Sequence, residues 1–193
     1  MTSILANGLS RDEQYRIHTL SFYGEGKPEL FLLDERVQKD LLYPHPITMK
    51  KVMMTGGVGK VRRYLKMNRI DILVACGALY FPLSILACCG LKTRCVCWEH
   101  SNITTMDDHA FQRASRWFGA KFGDRVVLLT KKDQEDHIRR YKNKGKAHQI
   151  YNPIDPELYE RQSFYSPDSR KIISAGRLTP PKNYDAILVG PST

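Results

Sequence analysis

Short apolar runs alternate with longer helical patterns along this chain, and this alternation restricts the possible folds more than any other feature. Runs rich in apolar residues predict strands, and apolar residues at helical spacing predict the helices between them. The predicted strands are Tyr15–Phe22, Leu30–Leu33, Asp71–Cys76, Thr93–Trp98, Arg125–Thr130, Ala147–Tyr151 and Lys171–Ala175. The predicted helices are Met1–Leu9, Gly59–Met67, Leu79–Cys89, Asp108–Phe122 and Lys131–Tyr141. Strands that are apolar on both faces and separated by helices indicate a parallel sheet covered on both sides, the doubly wound α/β class.

The regular alternation stops at Asn152-Pro153-Ile154-Asp155-Pro156, where two prolines interrupt the chain. Serines and a further proline follow, which is typical of an irregular connector. We therefore predict an α/β domain over residues 1–152, a linker over residues 153–168 and the beginning of a second domain over residues 169–193. The last segment is too short to bury a core of its own.

The chain carries a formal net charge of +10, and much of it comes from one stretch. Between Met49 and Ile70 there are seven basic residues and no acidic one: Lys50, Lys51, Lys60, Arg62, Arg63, Lys66 and Arg69. Such a cluster attracts anionic membrane surfaces, nucleic acids or phosphorylated substrates. The alternative is a solvated helix face without a partner.

Several classes of protein are not favoured by the sequence. No run approaches the roughly 18 apolar residues that span a bilayer, and residues 1–9 lack the basic start of a secretory signal, so we expect a cytoplasmic protein. The five cysteines lie between Cys76 and Cys97 without a C-x-x-C pair. This arrangement argues against a disulfide framework and a zinc site, so we expect no metal and free thiols, with Cys95 and Cys97 as small apolar residues on one face of a strand.

One loop near the C-terminus has the composition of a phosphate-binding site. Gly176-Arg177-Leu178-Thr179-Pro180-Pro181-Lys182-Asn183 follows a predicted strand and precedes a helical pattern. In open α/β sheets this position, at the carboxyl end of a strand, is where ligands bind. Gly176 permits close approach of the backbone, while Arg177 and Lys182 can neutralise a diphosphate leaving group. Two solvated cations would give the same pattern.

Four motifs in one order extend this interpretation to a family. They are Trp98–Asn102, Val126–Thr130, Ile150–Asp155, and Ser174–Leu178 followed by Lys182-Asn183. In this order the sequence resembles the family 4 glycosyltransferases, from the Leu5–Leu9 segment to Asn183. The resemblance implies a GT-B fold of two Rossmann-like domains and retaining sugar transfer without a metal cofactor. It also implies a UDP- or GDP-linked sugar donor and a glycan or lipid-linked acceptor, as in cell-surface polysaccharide synthesis.

The resemblance also assigns roles to residues near the domain boundary and beyond it. Arg177 and Lys182, together with Gly176, would bind the diphosphate of the donor. Asn152 and Pro153 would organise a hinge between the two domains, because an asparagine side chain stabilises turns of this kind.

In the first domain the resemblance indicates a catalytic role for His100. This residue would lie at the carboxyl end of its strand and contact the transferring sugar or the acceptor hydroxyl. The alternative is a histidine that caps the following turn. Glu99 should face the other way, because adjacent residues of a strand point to opposite faces. A lipid-linked acceptor would also give the basic stretch a partner, the anionic inner face of a membrane. The residues that would contact it are Lys60, Arg62, Arg63 and Lys66.

Two elements of the family pattern are not found in the sequence. The first strand with its Gly-rich loop would precede Met1, and the Glu-x7-Glu pair of the second domain would follow Thr193. In the strand order 3-2-1-4 the first strand is central, so its loss would leave two neighbouring strands without partners. We therefore expect a chain that is truncated at both ends and inactive on its own.

Two other functions are compatible with parts of the sequence. A nucleotide-sugar epimerase can share this architecture, and the acidic pair would distinguish the two enzymes. A non-catalytic nucleic-acid-binding module would account for the charge. The sequence has no recognised nucleic-acid-binding motif and no basic–aromatic alternation for stacked bases, so we expect no nucleic-acid partner.

Overall fold

The computed structural model describes residues 2–23, 32–102 and 110–154, and individually Leu158, Glu160 and Asp168. Its contacts divide the chain into two compact units, Met1–Asp155 and Pro156–Thr193. The strands and helices named below all belong to the first unit. The predicted strand Lys171–Ala175 and the loop that follows it lie outside the described residues.

The first unit contains both helices and strands, and from residue 72 onward they alternate, as the sequence predicts. Its strands are β1 (His18–Tyr23), β2 (Gln38–Tyr43), β3 (Ile72–Cys76), β4 (Arg94–Trp98), β5 (Arg125–Leu128) and β6 (Ala147–Gln149). Its helices are α1 (Thr2–Leu9), α2 (Met49–Met54), α3 (Gly57–Met67), α4 (Phe81–Cys88), α5 (Ala110–Phe122) and α6 (Lys131–Tyr141). Each predicted helix of this unit has a counterpart, and α6 has the predicted bounds.

Two parallel sheets organise these elements. In one sheet β1 pairs with β2, with His18 opposite Gln38 and Tyr23 opposite Tyr43. In the other sheet the strands follow the order β3-β4-β5-β6, and each neighbouring pair is parallel. Parallel neighbours require a crossover connection, which α4, α5 and α6 supply between successive strands. The predicted α/β class with a parallel sheet is confirmed.

Among the described residues, no strand joins the two sheets. β3 forms an edge of the four-stranded sheet, and its residues Ile72 and Val74 are 58% and 41% exposed. Both side chains lie on the same face, because residues two apart in a strand point the same way. The described strands therefore form two separate sheets, and β3 leaves part of one face exposed.

The core lies between the four-stranded sheet and the helices that cross it. Its most buried members include Phe81 and Leu83 of α4, Leu65 of α3, and Val126 and Leu128 of β5, each at most 1% exposed. α4 is rich in apolar residues on all sides, as is typical of a helix packed within a core. The two cysteines of β4 also belong to the core and are free thiols, as expected.

The predicted strand Leu30–Leu33 is wrong at its last two residues, and its first two lie outside the described residues. The side chain of Asn7 on α1 makes backbone hydrogen bonds there instead. Its Nδ2 donates to Leu32 O at 3.0 Å, and its Oδ1 accepts from Asp34 N at 2.8 Å. Hydrogen bonds with a side chain that is distant in sequence thus take the place of hydrogen bonds to a neighbouring strand. β2 and α2 have no counterpart in the prediction.

Candidate functional site

Polar residues follow the neighbouring strands β4 and β5 at their carboxyl ends. We call the segment Glu99–Asn102, which continues the chain beyond β4, the strand-end loop. Trp98 is opposite Val127 in the sheet, and the backbone N–H of Glu99 donates to Val127 O at 2.9 Å. Because ligands bind at this edge of open α/β sheets, the strand-end loop is the centre of the candidate site.

A buried ion pair holds the first residue of the strand-end loop. Glu99 Oε2 accepts a hydrogen bond from Arg116 Nε of α5 at 2.9 Å, and the two side chains are 2% and 1% exposed. Glu99 Oε1 accepts from the Ser101 backbone N–H at 3.0 Å. Both carboxylate oxygens are engaged inside the protein, as a buried charge requires. Glu99 therefore points into the unit, in agreement with its predicted orientation.

His100 is half-buried beside the ring of Trp98. The two ring centroids are 4.9 Å apart, and the rings are tilted by 38°. Burial lowers the pKa of His100 against the opposing effect of Glu99, so its imidazole is neutral near pH 7. Its Nδ1 atom is buried and has no hydrogen-bond partner in the described part of the chain. In the following turn, the Ser101 N–H donates to the carboxylate of Glu99.

The last residue of the strand-end loop is tied to the start of α6. Asn102 Nδ2 donates to Asp133 Oδ1 at 2.8 Å. Asp133 Oδ2 accepts from the Thr130 hydroxyl at 2.7 Å, and the Asp133 backbone N–H donates to the same hydroxyl at 3.0 Å. This reciprocal arrangement is an N-terminal helix cap. It fixes the carboxylate that holds Asn102.

A small cavity lies at the strand-end loop, with a volume of about 20 Å³. Its lining residues are Glu99, His100, Ser101, Asn102, Leu128, Leu129 and Asp133. The cavity has space for about one water molecule, whereas ligand pockets typically measure about 300–1,000 Å³. The cavity therefore does not enclose a sugar, and the strand-end loop offers a polar surface instead.

The predicted diphosphate-binding residues Gly176, Arg177 and Lys182 lie outside the described residues. Asn152 is exposed and Pro153 is half-buried, in an irregular segment shortly after β6. Their hinge role, like the predicted domain bounds, stays a prediction. Of the residues predicted to contact donor or acceptor, the structure therefore describes His100.

The predicted membrane-facing residues lie on α3, and two of them also make contacts within the protein. Lys60 Nζ lies 3.9 Å from the centroid of the Tyr43 ring. Arg62 Nη1 donates to Ala87 O at 3.2 Å and also to Cys89 O, both at the end of α4. Arg62 thus satisfies carbonyl oxygens that the end of a helix leaves without intrahelical partners.

Arg63 and Lys66, the other two predicted membrane-facing residues, are exposed on α3. They border a wide depression of about 360 Å³, which we call the basic groove. Its lining residues are Gly59, Arg62, Arg63, Lys66 and Met67. The structure therefore brings three of the four predicted cations to one surface.

Sequence reasoning did not identify Arg116 or the contact between Asn102 and Asp133. An arginine on a helix is almost always solvated, so no sequence signal marks Arg116 as buried. Thr130-x-x-Asp133 is a capping pattern. That signal identifies the start of α6, but it does not reveal that Asp133 also binds the strand-end loop.

The parallel sheets and the polar residues at the strand ends define an α/β protein with a candidate ligand site at the carboxyl edge of its sheet. The sequence model of Glycosyltransferase Family 4 matches residues 3–158, which is more than half of the 193 residues. The chain belongs to glycosyltransferase family 4, and the predicted family is confirmed.

The fold is also similar to the crystal structure of Anabaena Alr3699/HepE in complex with UDP and glucose. The TM-score is 0.51 at 17% sequence identity, and the match covers 64% of this chain and 33% of that chain. This likeness confirms a Rossmann-like fold of the GT-B type, while the matched region spans about a third of the HepE chain. No curated protein sequence matches the chain significantly. In the ranges that the structure describes, no helix has both the length and the apolar character needed to cross a membrane.

Proposed function

We propose that this protein acts as a retaining glycosyltransferase that transfers a sugar from a UDP- or GDP-linked donor to a glycan or lipid-linked acceptor. The observation that carries the proposal is the position of His100, half-buried and neutral, at the carboxyl end of β4 in a family 4 chain. The UDP and glucose in the crystal structure of HepE support a nucleotide-sugar donor. The process that we propose is cell-surface polysaccharide synthesis.

His100 is the catalytic residue in this proposal. A neutral imidazole has one nitrogen that donates a hydrogen bond and one that accepts. Because Nδ1 is buried, we assign Nε2 to the transferring sugar or the acceptor hydroxyl. The lowered pKa of His100 favours the neutral ring that this hydrogen bond requires.

The donor diphosphate is assigned to Arg177 and Lys182, with Gly176 allowing close approach. Breaking the bond between sugar and diphosphate leaves negative charge on the diphosphate oxygens. A planar guanidinium and a mobile ammonium stabilise that charge, so we expect no metal ion to be required. Transfer that persists in the presence of EDTA would support this assignment, and loss of transfer that added Mg²⁺ restores would contradict it.

The basic groove is assigned to an anionic membrane surface at the cytoplasmic face. Its exposed cations, Arg63 and Lys66, are the ones that we expect to contact lipid headgroups directly. Arg62 and Lys60 contribute less, because each already contacts a carbonyl or a ring within the protein. Close contact with the membrane would suit a lipid-linked acceptor.

The experiment that tests the proposal incubates the native gene product with radiolabelled UDP-glucose or GDP-mannose and a lipid extract of its source cells. We expect label to enter the lipid or glycan fraction. His100→Ala and Arg177→Ala should each reduce transfer by roughly 100-fold, while Arg94→Met should leave it unchanged. A folded protein that transfers no label from either donor to any fraction would contradict the proposal.

The same incubation distinguishes the two other functions. An epimerase would return the label in a nucleotide sugar of altered configuration, with nothing transferred. A nucleic-acid-binding module would shift labelled RNA or DNA at physiological ionic strength, and its affinity would fall steeply with added salt.

A further inference from the structure

The ion pair between Glu99 and Arg116 is unusual because both charges are almost fully buried. Arg116 heads the largest fully buried side chains in the described structure, and Glu99 is 2% exposed. Glutamate and arginine are almost never buried to this extent unless they are paired. A pair of apolar residues would fill the same space without the cost of desolvating two charges. Core packing alone therefore does not explain why charges occupy these positions.

Glu99 makes backbone contacts immediately before and immediately after His100 along the chain. The Glu99 backbone N–H binds Val127 O of β5 at 2.9 Å, immediately before His100. The Glu99 carboxylate binds the Ser101 N–H at 3.0 Å, immediately after His100. The backbone on both sides of His100 is thus held by one residue, and Arg116 fixes the carboxylate that makes the second contact.

A second anchor lies further along the same loop. Asn102 donates to Asp133 at 2.8 Å, and Asp133 is itself held by the cap of α6. The strand-end loop is therefore tied to β5, to α5 and to α6. The buried Nδ1 atom of His100 has no protein partner among the described residues. The anchors hold the neighbours of His100 and do not bind its imidazole ring.

We propose that Glu99 and Arg116 are positioning residues for His100, and that their buried ion pair sets where the imidazole meets the substrate. This inference rests on the proposed function, in which His100 contacts the transferring sugar or the acceptor hydroxyl. Glu99 does not touch the substrate; it acts through the backbone of Ser101. Arg116 acts through Glu99.

The test replaces the whole pair, because a single substitution leaves one charge buried without its partner. Glu99→Leu/Arg116→Met removes both charges and the contact with Ser101 N–H, and it keeps an apolar interior. The matched control is Arg94→Met, which breaks the more exposed ion pair with Asp124 on the same sheet. Thermal unfolding of both variants establishes that they are folded before any other measurement.

The first readout is the titration of His100 in ¹H–¹³C NMR spectra, which requires no sugar transfer. The Glu99 charge raises the pKa of His100 and burial lowers it. Removing the charge from an otherwise unchanged loop would therefore lower the pKa further. Releasing the loop would expose the ring and raise the pKa, because burial is the largest cause that lowers it. We expect a rise in the double variant and no change in Arg94→Met. A fall, or no change, in a folded double variant overturns the proposal.

The second readout is sugar transfer, compared between the wild-type gene product and the same protein with these substitutions. Misplacing a group by about 1 Å can cost roughly 100-fold in rate, so we expect kcat to fall by about that factor with little change in the KM for donor. If His100 titrates as expected but neither the wild-type protein nor any variant transfers sugar, the proposed function fails, and only the placement of the imidazole by the ion pair is supported. If transfer occurs and the double variant retains full kcat, the positioning role is wrong.

Discussion

The strand-end loop and the basic groove carry charge in opposite ways. At the loop, Glu99 and Arg116 are almost fully buried and bind each other. At the groove, Arg63 and Lys66 are exposed, while Arg62 binds backbone oxygens at the end of α4. An unpaired buried charge costs several kcal/mol, whereas an exposed ion pair contributes little. Much of the net positive charge comes from the stretch that contains the groove. In the structure, however, the charges that should affect stability most are the buried pair at the strand-end loop.

The largest expected effect is that of breaking the buried pair on one side only. Arg116→Met leaves Glu99 buried and charged, so the free energy of unfolding should fall by about 3–5 kcal/mol. Glu99→Leu/Arg116→Met should be far more stable than this single variant, because it leaves no unpaired charge. Urea denaturation measures the free energy of unfolding of both variants. If Arg116→Met is as stable as Glu99→Leu/Arg116→Met, an unpaired Glu99 charge does not destabilise the fold, and the prediction is wrong.

A further buried side chain, outside both regions, should affect stability as pH falls. Burial of His137 on α6, with an opposing contribution from its hydrogen bond to Asn143, lowers its pKa from 6.5 to about 4. The unfolded chain therefore takes up this proton first. The free energy of unfolding should not depend on His137 above about pH 6.5. It should fall by about 3 kcal/mol in total between pH 6.5 and 4.

This pH effect is measured as the difference between the wild-type protein and His137→Gln, which cannot titrate in this range. Urea denaturation at pH 7.5, 6 and 4.5 should give a steeper loss of stability for the wild-type protein. The control is His148→Gln, at an exposed position of β6, which should follow the wild-type curve. Identical pH dependence for wild-type protein and His137→Gln would show that His137 is not the titrating group.

The basic groove should affect membrane binding and have little effect on stability. Each basic residue near an anionic membrane contributes about 1 kcal/mol, so Arg63→Ala/Lys66→Ala should weaken binding to phosphatidylserine vesicles by roughly 30-fold. Arg62→Met should weaken it less and lower stability instead, because it removes hydrogen bonds to the end of α4. Co-sedimentation with vesicles measures the first effect. Equal binding of wild-type protein and Arg63→Ala/Lys66→Ala would contradict the assignment of the groove.

The smallest expected effect concerns the cap that holds the far end of the strand-end loop. Thr130→Ala removes the hydroxyl that binds both the backbone and the carboxylate of Asp133, and should cost about 1 kcal/mol. Thr130→Ser keeps the hydroxyl and should restore most of the stability. Thermal unfolding compares the three proteins. If Thr130→Ser is no more stable than Thr130→Ala, the cap does not hold Asp133.

The regular elements of the first unit could be predicted where local sequence signals determine them. α6 begins after the capping residue Thr130 and ends at Tyr141, because the C-cap residue Lys142 has a left-handed backbone. Its predicted bounds are correct, and the start has a local capping signal, whereas the left-handed backbone of Lys142 is seen only in the structure. β2 could not be predicted in the same way, since Gln38–Tyr43 starts with polar residues and does not alternate. Its pairing with β1 depends on a contact distant in sequence.

At the candidate site, the sequence predicts which residues lie at the strand end but does not predict what holds them. His100 and the inward orientation of Glu99 follow from the end of a strand and its alternation. Arg116 could not be assigned, because only the packing of α5 shows that this arginine is buried. Likewise, the role of Arg62 at the end of α4 depends on the approach of two helices, which the sequence does not specify.

The most direct test of the contrast between the two regions is sugar transfer to a water-soluble acceptor, for which membrane binding is not needed. We expect His100→Ala in the native gene product to reduce kcat by roughly 100-fold. Arg63→Ala/Lys66→Ala should transfer sugar to the soluble acceptor at the wild-type rate. A wild-type rate for His100→Ala, together with a large loss for the groove variant, would contradict the assignment of the chemistry to the strand-end loop.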